Sequence, residues 1–198
     1  MQLYYAPPSP FARKIRVMIE EKGLQARFRM EARAPFDMPA DLIAHNPLSK
    51  VPTLVMDDGQ PLYDSTVIAE FIDGLGAPKL IPDVGPARWA ALRWQSLADG
   101  VLEAGQSIQL ERRRPEGEHS PGWMQRQANT VGRGLDTAEL DLGTLGPDIA
   151  IGHIALGCAL GWLDFRLPDM NWRGNRPQLA AWETRFAARP SMQATQPA

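Results

Sequence analysis

The sequence predicts a small α/β domain followed by an all-helical domain. Up to about residue 75, strand-like and helix-like patterns alternate, whereas the segments after residue 86 have the three- and four-residue apolar spacing of helices. Between them lies "GAPKLIPDVGP", residues 76–86, which holds two glycines and three prolines. We therefore predict a domain at 1–75, a linker at 76–86 and a helical domain at 87–198.

The first domain is predicted to have the element order βαβαββα. "QLYYA" is aromatic-rich like a strand, and the helix that follows has an apolar face and a polar face, the latter carrying Arg13, Lys14, Glu20 and Glu21. "ARFRM" alternates like a second strand, and "PADLIAHNP" predicts a short helix or irregular segment ended by its Asn-Pro pair. "VPTLVMDDGQPLYDS" predicts a hairpin with an Asp-Gly turn, and "STVIAEFIDGLG" predicts the closing helix.

The second domain is predicted to contain four helices. The first spans residues 87–113 and the second 121–142; the third is the apolar run 149–163, and the fourth, "RPQLAAWETRFAAR", ends at an Arg-Pro pair. The segment "ERRRPE" at the end of the first of these helices is interpreted as a solvated helix end.

Composition and charge exclude several classes of function. A net charge of −2 argues against a nucleic-acid-binding protein. One cysteine, Cys158, excludes intramolecular disulfides and cysteine-based metal clusters. The N-terminus lacks the pattern of a signal peptide, and the apolar run 149–163 is too short to cross a bilayer. We therefore expect a cytoplasmic protein without membrane, nucleic-acid or metal partners; the scattered His45, His119 and His153 are interpreted as structural or surface residues.

Ser9 stands at the start of the first predicted helix, within "YYAPPSPFARKIR". A serine followed by a proline at the first helical position is a strong N-cap arrangement. The same corner favours an anion, because free N–H groups and the positive end of the helix dipole meet there. The local sequence leaves both interpretations open, a helix cap or a hydroxyl that meets an anionic ligand.

Two further segments each allow a structural and a ligand-binding interpretation. Val51-Pro52 precedes a strand, either as a cis bond that presents the Val51 backbone to an extended peptide or as an ordinary trans edge proline. Asp64 and Ser65 begin a helix, either as its cap or as a site where N–H groups bind a carboxylate and Asp64 pairs with an ammonium. An anion site, a backbone-pairing site and a zwitterion site, in that order, outline a small thiol tripeptide.

These segments resemble the cytosolic glutathione S-transferase superfamily, and the resemblance covers essentially the whole chain. "SPFARKIRVMIEEKGL" resembles the family's first helix, "NPLSKVPTLVMDDGQPLYDSTVIAEFID" its most specific block, and "RPQLAAWETRFAARPSMQATQP" its C-terminal signature. "LADGVLEAG" and "ALGWLDFR" are similar to the small bacterial YibF-like subgroup. The resemblance implies a thioredoxin-like N-terminal domain with a cis Pro52, an all-α C-terminal domain, usually a homodimer, and a role in detoxification.

The resemblance also implies a role for each matching residue. Ser9 would be the catalytic residue and would donate a hydrogen bond to the glutathione thiolate. Val51, next to Pro52, would pair through its backbone with the cysteinyl unit. The remaining glutathione-binding residues would be Asp64 and Ser65 at the γ-glutamyl end, Lys50 near the glycyl carboxylate, and Asp99, which would reach the γ-glutamyl amine in the partner subunit.

The implied activity is the transfer of glutathione, as a co-substrate, to a small hydrophobic electrophile. The electrophile pocket would lie between the domains, lined by Pro8, Phe11 and side chains around 102–110, with Arg113 and its neighbours 112 and 114 at the rim. A role for Ser9 as a hydrolase nucleophile would need a nearby base, and no histidine lies in this segment. Two alternatives remain, a glutathione-dependent peroxide or disulfide reductase and a non-catalytic glutathione-binding interaction module.

One segment departs from the family pattern. Many members begin the buried C-domain helix with Ser or Thr followed three positions later by Asp, which forms a capping box. Here the matching residues are Ala150 and His153, so that another cap is expected, and Asp148 is the candidate. Cys158, in the same helix, is predicted to be a buried, inert thiol.

Overall fold

The computed structural model describes residues 1–198 and divides them into two units, residues 1–83 together with 190–198, and residues 84–189. The strands are β1 (Gln2–Tyr5), β2 (Arg29–Ala32), β3 (Thr53–Val55) and β4 (Pro61–Leu62). The helices are α1 (Pro10–Glu21), α2 (Ala40–His45), α3 (Ser65–Gly74), α4 (Gly85–Glu111), α5 (Pro121–Asp141), α6 (Ile151–Arg166), α7 (Pro177–Ala187) and α8 (Pro190–Gln193).

The first unit is built on a mixed sheet with the strand order β2-β1-β3-β4. Strand β1 is parallel to β2 and antiparallel to β3, and β3 forms the predicted antiparallel hairpin with β4. Helix α1 provides the crossover between the parallel strands, as a parallel pair requires. This is a thioredoxin-like arrangement followed by an all-helical region, and the predicted fold class is confirmed.

The register of the sheet brings three chain segments to one edge. Tyr4 pairs with Thr53, and Leu54 pairs with Leu62. Because β1 and β4 both run antiparallel to β3, the residues that follow β1, precede β3 and follow β4 leave the sheet on the same side. These are the segments that contain Ser9, Val51 and Asp64.

The position of the second strand was predicted wrongly. The alternation of "ARFRM" predicts a strand at 26–30, whereas residues 25–27 form a 3₁₀ turn and β2 begins at Arg29. Three of the four β2 residues are exposed, and β2 is an outermost strand of the sheet, paired on one side only. Its bounds therefore follow from its pairing with β1 and not from a buried apolar face.

Two side chains on the predicted polar face of α1 are in fact buried. Arg13 is 5% exposed and Lys14 is 1% exposed. A guanidinium nitrogen of Arg13 donates to the carbonyl oxygen of Met192 at 3.1 Å, and the Lys14 ammonium lies 5.8 Å from the centre of the Phe11 ring. The C-terminal residues 190–198, which the sequence assigned to the helical domain, thus pack on α1 in the first unit.

In the second unit, α4 packs against α5 and α6. The packing of α4 on α6 is close at Gly152, where an added Cβ would lie 2.5 Å from the Cβ of Trp94. Helix α6 is buried along nearly its whole length, and Cys158 within it is fully buried, as predicted. None of the helices has the length and apolar character needed to cross a bilayer.

Candidate active site

Ser9 lies between β1 and α1 and is the N-cap of that helix. Its Oγ accepts a hydrogen bond from the Ala12 N–H at 3.3 Å, and Pro10 occupies the first helical position. The hydroxyl of Ser9 donates no hydrogen bond within the chain, and the residue is half-buried. The cap interpretation is therefore correct, and it leaves the hydroxyl proton available to a ligand.

Val51 precedes β3 at the same edge of the sheet. The Val51–Pro52 peptide bond is cis, as the resemblance implied, and Val51 itself is half-buried. Neither its backbone N–H nor its C=O forms a hydrogen bond within the chain. The neighbouring Lys50 side chain is exposed. An extended peptide can pair with the chain through a free N–H and a free C=O next to a strand.

Asp64 and Ser65 follow β4 and begin α3. Asp64, and not Ser65, is the N-cap: its Oδ1 accepts from the Thr66 N–H at 2.9 Å, whereas its Oδ2 has no partner within the chain. Ser65 is the first helical residue and is 4% exposed, and its N–H has no carbonyl in a preceding turn to bond. A free carboxylate oxygen and a free helix N–H thus lie side by side on adjacent residues.

The other predicted site residues lie partly in the first unit and partly in the second. Pro8 and Phe11, both half-buried, flank Ser9 in the first unit. Asp99 is half-buried on α4, and Arg113 is exposed just beyond the end of that helix. The contribution of Asp99 to a partner subunit's site and the pocket between the domains remain predictions.

The three arginines that follow α4 are exposed, as predicted for a solvated helix end. Arg112 forms a bidentate pair with Asp169, at 3.0 and 2.7 Å, and this hydrogen bonding lowers the pKa of the Asp169 carboxyl. Arg114 pairs with Glu118 at 3.2 Å. Two of the three arginines that were predicted at the rim of the electrophile pocket therefore form ion pairs with carboxylates of their own unit.

The start of α6 is capped by an unexpected side chain. The Ala150 N–H donates to Nδ1 of His153 at 3.2 Å, and Nε2 of His153 donates to the Gly146 carbonyl oxygen at 3.1 Å. Asp148 accepts no hydrogen bond from the start of α6, so the prediction that Asp148 replaces the cap was wrong. His153 therefore has a structural role. No group of three or more His, Cys, Asp or Glu side chains is close enough together to hold a metal ion.

Two polar residues beside the site were missed by the sequence interpretation. Asn46 is 1% exposed and Thr53 is fully buried, and both form hydrogen bonds to the backbone of Lys50. The signal available in the sequence was the polar Thr53 at the start of an otherwise apolar strand. The partners of Thr53 could not be read from local spacing, because its hydrogen bonds span three and seven residues of irregular chain.

Comparison with known proteins defines the class to which this fold and these segments belong. The pattern of the glutathione S-transferase N-terminal domain matches residues 8–75, and that of the C-terminal domain matches residues 121–185. The chain belongs to the glutathione S-transferase superfamily.

Among individual relatives, the chain is similar to the GST-like protein YibF of Escherichia coli K12. The two are 34% identical over 201 residues, which covers 100% of this chain and 98% of YibF. A glutathione transferase family member from Pseudomonas fluorescens Pf-5, solved with bound glutathione, is 39% identical with a TM-score of 0.97 and coverage of 100% and 98%. A glutathione S-transferase from Methylobacillus flagellatus KT, also with glutathione bound, is 35% identical with a TM-score of 0.90 and coverage of 100% and 99%.

Proposed function

We propose that this protein binds glutathione at the edge of the sheet from which the segments with Ser9, Val51 and Asp64 leave, and joins the intact tripeptide through its sulfur to a small hydrophobic electrophile. The observation that carries the proposal is that the strand register brings three chain segments with unsatisfied polar groups to that edge. Related structures of 35% and 39% identity contain glutathione, which supports the choice of ligand.

Each unsatisfied group suits one part of glutathione. The Val51 N–H and C=O would pair with the backbone of the cysteinyl unit. The free Oδ2 of Asp64 would accept from the γ-glutamyl ammonium, while the Ser65 N–H donates to the α-carboxylate. Lys50, whose side chain is exposed, would pair with the glycyl carboxylate.

The cysteinyl sulfur would then lie at the N-terminus of α1, beside Ser9. A hydrogen bond from a hydroxyl to an anion contributes about 1.5–3 kcal/mol, which corresponds to a lowering of the thiol pKa by roughly one to two units. The helix dipole acts in the same direction. Both contributions favour the thiolate, the form of the sulfur that attacks electrophiles.

The transfer step needs no covalent bond to the protein. The thiolate sulfur donates an electron pair to the electrophilic carbon and forms a C–S bond, and in a substitution the leaving group departs with its own bonding pair. Ser9 stabilises the thiolate before attack and is not the nucleophile. Pro8, Phe11 and Arg113, with Asp99 from the partner subunit of a homodimer at the γ-glutamyl end, complete the proposed site.

The proposal is tested with wild-type protein, Ser9→Ala and Ser9→Thr. We expect glutathione binding by calorimetry in all three, and conjugation of a generic aryl halide by wild type and Ser9→Thr. In Ser9→Ala the rate at neutral pH should fall roughly 10- to 100-fold, and the pH profile of the rate should shift upward by about one to two units. Loss of the cap also lowers stability by about 1 kcal/mol, which thermal unfolding measures separately.

Three outcomes would count against the proposal in different ways. Absence of glutathione binding by the wild type would overturn it entirely. Conjugation unchanged in Ser9→Ala would remove Ser9 from its role. Binding without conjugation, together with reduction of a peroxide or a mixed disulfide, would replace transfer by the reductase alternative.

A further inference from the structure

A buried hydrogen-bond network underlies the segment 46–53 that carries Val51. The Asn46 side-chain amide donates to the Lys50 carbonyl oxygen at 3.1 Å and to Thr53 Oγ1 at 2.9 Å. The Thr53 hydroxyl donates to the same Lys50 carbonyl at 2.8 Å. Asn46 Oδ1 in turn accepts from the Leu48 N–H at 3.0 Å. We refer to Asn46 and Thr53 as the Lys50 clamp.

The clamp is protected from competing water. Asn46 is 1% exposed and Thr53 is 0% exposed. Both donor hydrogens of the Asn46 amide and the single donor hydrogen of the Thr53 hydroxyl are used, and two of these three bonds end on one carbonyl oxygen. Buried networks in which each donor is satisfied hold their atoms in one arrangement.

The carbonyl held by the clamp shares a peptide unit with the Val51 N–H. The peptide bond is planar, so that fixing the direction of the Lys50 C=O also fixes the direction of the Val51 N–H. The Lys50–Val51 bond is trans, and its C=O and N–H therefore point in opposite directions. With the carbonyl directed into the clamp, the N–H is directed away from it, and it has no partner within the chain.

We infer that Asn46 and Thr53 are positioning residues for glutathione, which aim the Val51 N–H at the ligand without touching it. The inference rests on the proposed binding of glutathione at Val51. It adds that the affinity of the site depends on a hydroxyl and an amide buried behind the loop. The exposed side chain of Lys50 plays no part in this positioning, since the clamp holds the Lys50 backbone.

The test compares Thr53→Val, which removes the hydroxyl with little change in shape, with Thr53→Ser, which retains it. We expect the glutathione dissociation constant of Thr53→Val to rise about 5- to 20-fold, and that of Thr53→Ser to stay within about twofold of wild type. In the conjugation assay the KM for glutathione should rise in Thr53→Val, while kcat at saturating glutathione and the KM for the electrophile stay within about twofold.

A second measurement detects the peptide plane without ligand. The residual dipolar coupling of the Val51 N–H reports its orientation, and we expect the same value in wild type and Thr53→Ser and a reduced or altered value in Thr53→Val. Should Thr53→Val fail to fold, Asn46→Ser removes the amide donors from the other side of the clamp and is measured in the same way.

The outcomes separate this inference from the proposed function. Wild-type protein that does not bind glutathione overturns the proposed function and this inference together. Wild-type binding with equal dissociation constants in Thr53→Val and Thr53→Ser overturns the inference alone. An unchanged Val51 coupling in Thr53→Val removes Thr53 from the proposed role, and an unchanged coupling in both Thr53→Val and Asn46→Ser overturns the inference, because the clamp would then not orient the peptide.

Discussion

At the scale of a single residue, His153 determines how helix α6 begins. The residue is 5% exposed, and its ring lies 6.4 Å from the Trp182 ring and 6.3 Å from the Phe186 ring, centre to centre. The Ala150 N–H donates to Nδ1, which requires that this nitrogen carry no proton. Burial lowers the pKa of His153, and nearby Arg189 lowers it further, while Asp148 acts in the opposite direction.

We predict that His153 makes stability fall as the solution becomes acidic. The pKa is lower in the folded protein than in the unfolded chain, where it is about 6.5. The unfolded chain therefore takes up the proton first, so that the contribution is complete above about pH 6.5 and declines as the pH falls below it. One proton changes the free energy of unfolding by at most about 1.4 kcal/mol per pH unit.

The measurement is urea unfolding of wild type and His153→Asn between pH 7.5 and pH 5. Asparagine keeps an acceptor and a donor but does not titrate in this range. The difference in stability between wild type and variant should shrink as the pH falls. A matched substitution at the half-exposed His119, whose ring bonds only the Arg114 carbonyl, serves as the control. A difference that is constant with pH would contradict the prediction.

The sequence predicted that this cap was unusual but not what replaced it. The missing hydroxyl and carboxylate at Ala150 and His153 were visible, because they depend on residue type and a fixed spacing of three. The choice between His153 and Asp148 was not visible. It depends on the direction of the side chains at the start of α6, where the ring packs among aromatic residues of α7 that follow some 30 positions later.

At the scale of secondary-structure elements, the N-terminus of α7 is capped by a residue of another helix. Its N-cap residue, Arg176, makes no side-chain cap. Glu139 of α5 fills that role, because its carboxylate accepts from the N–H groups of Gln178 at 3.0 Å and Leu179 at 2.7 Å. The negative charge also lies at the positive end of the α7 dipole. The Glu139 carboxylate therefore caps α7 and, through the same hydrogen bonds, connects α7 to α5.

We predict that Glu139→Ala lowers the free energy of unfolding by about 1–2 kcal/mol, since it leaves two helix N–H groups without their acceptor. Glu139→Gln, which retains an oxygen acceptor, should lose less. Denaturant unfolding at neutral pH measures both. Glu103→Ala is the control, because Glu103 is an exposed glutamate on α4, and it should stay within about 0.5 kcal/mol of wild type. Equal losses in Glu139→Ala and Glu103→Ala would show that the cap contributes nothing.

Elements with a strong local signal were predicted with bounds close to the observed ones. The hairpin turn at Gly59 has φ +83°, which only glycine adopts easily, and the Asp-Gly pair indicated it directly. The apolar periodicity predicts the first helix from Pro10 to Lys22, which differs from the observed α1 by one terminal residue. Strand β2 was displaced because an exposed edge strand has no apolar alternation of its own, and pairing with β1 sets its bounds.

At the scale of the whole molecule, the chain returns to its first unit after completing the second. Helix α8 packs on α1, and Met192 is 1% exposed. Arg13 donates to the Met192 carbonyl, and the Ser191 hydroxyl donates to Glu21. The sequence predicted the order of the elements and the break after residue 75, but these contacts join residues about 170 to 180 positions apart. Local periodicity contains no information about such pairs, so it assigned Arg13 to the polar face of α1 and did not predict its burial.

We predict that the first unit depends on this returning segment for its stability. Met192→Ala removes a buried side chain that packs in the same unit as α1, and such truncations cost about 2–5 kcal/mol because they leave a cavity. Met38→Ala is a matched control in the same unit, since Met38 is 66% exposed and should change stability by less than about 0.5 kcal/mol. Amide hydrogen exchange locates the effect: protection should fall along α1 in Met192→Ala and stay unchanged in Met38→Ala. Equal protection of α1 in wild type and Met192→Ala would mean that residues 1–83 form their core without residues 190–198.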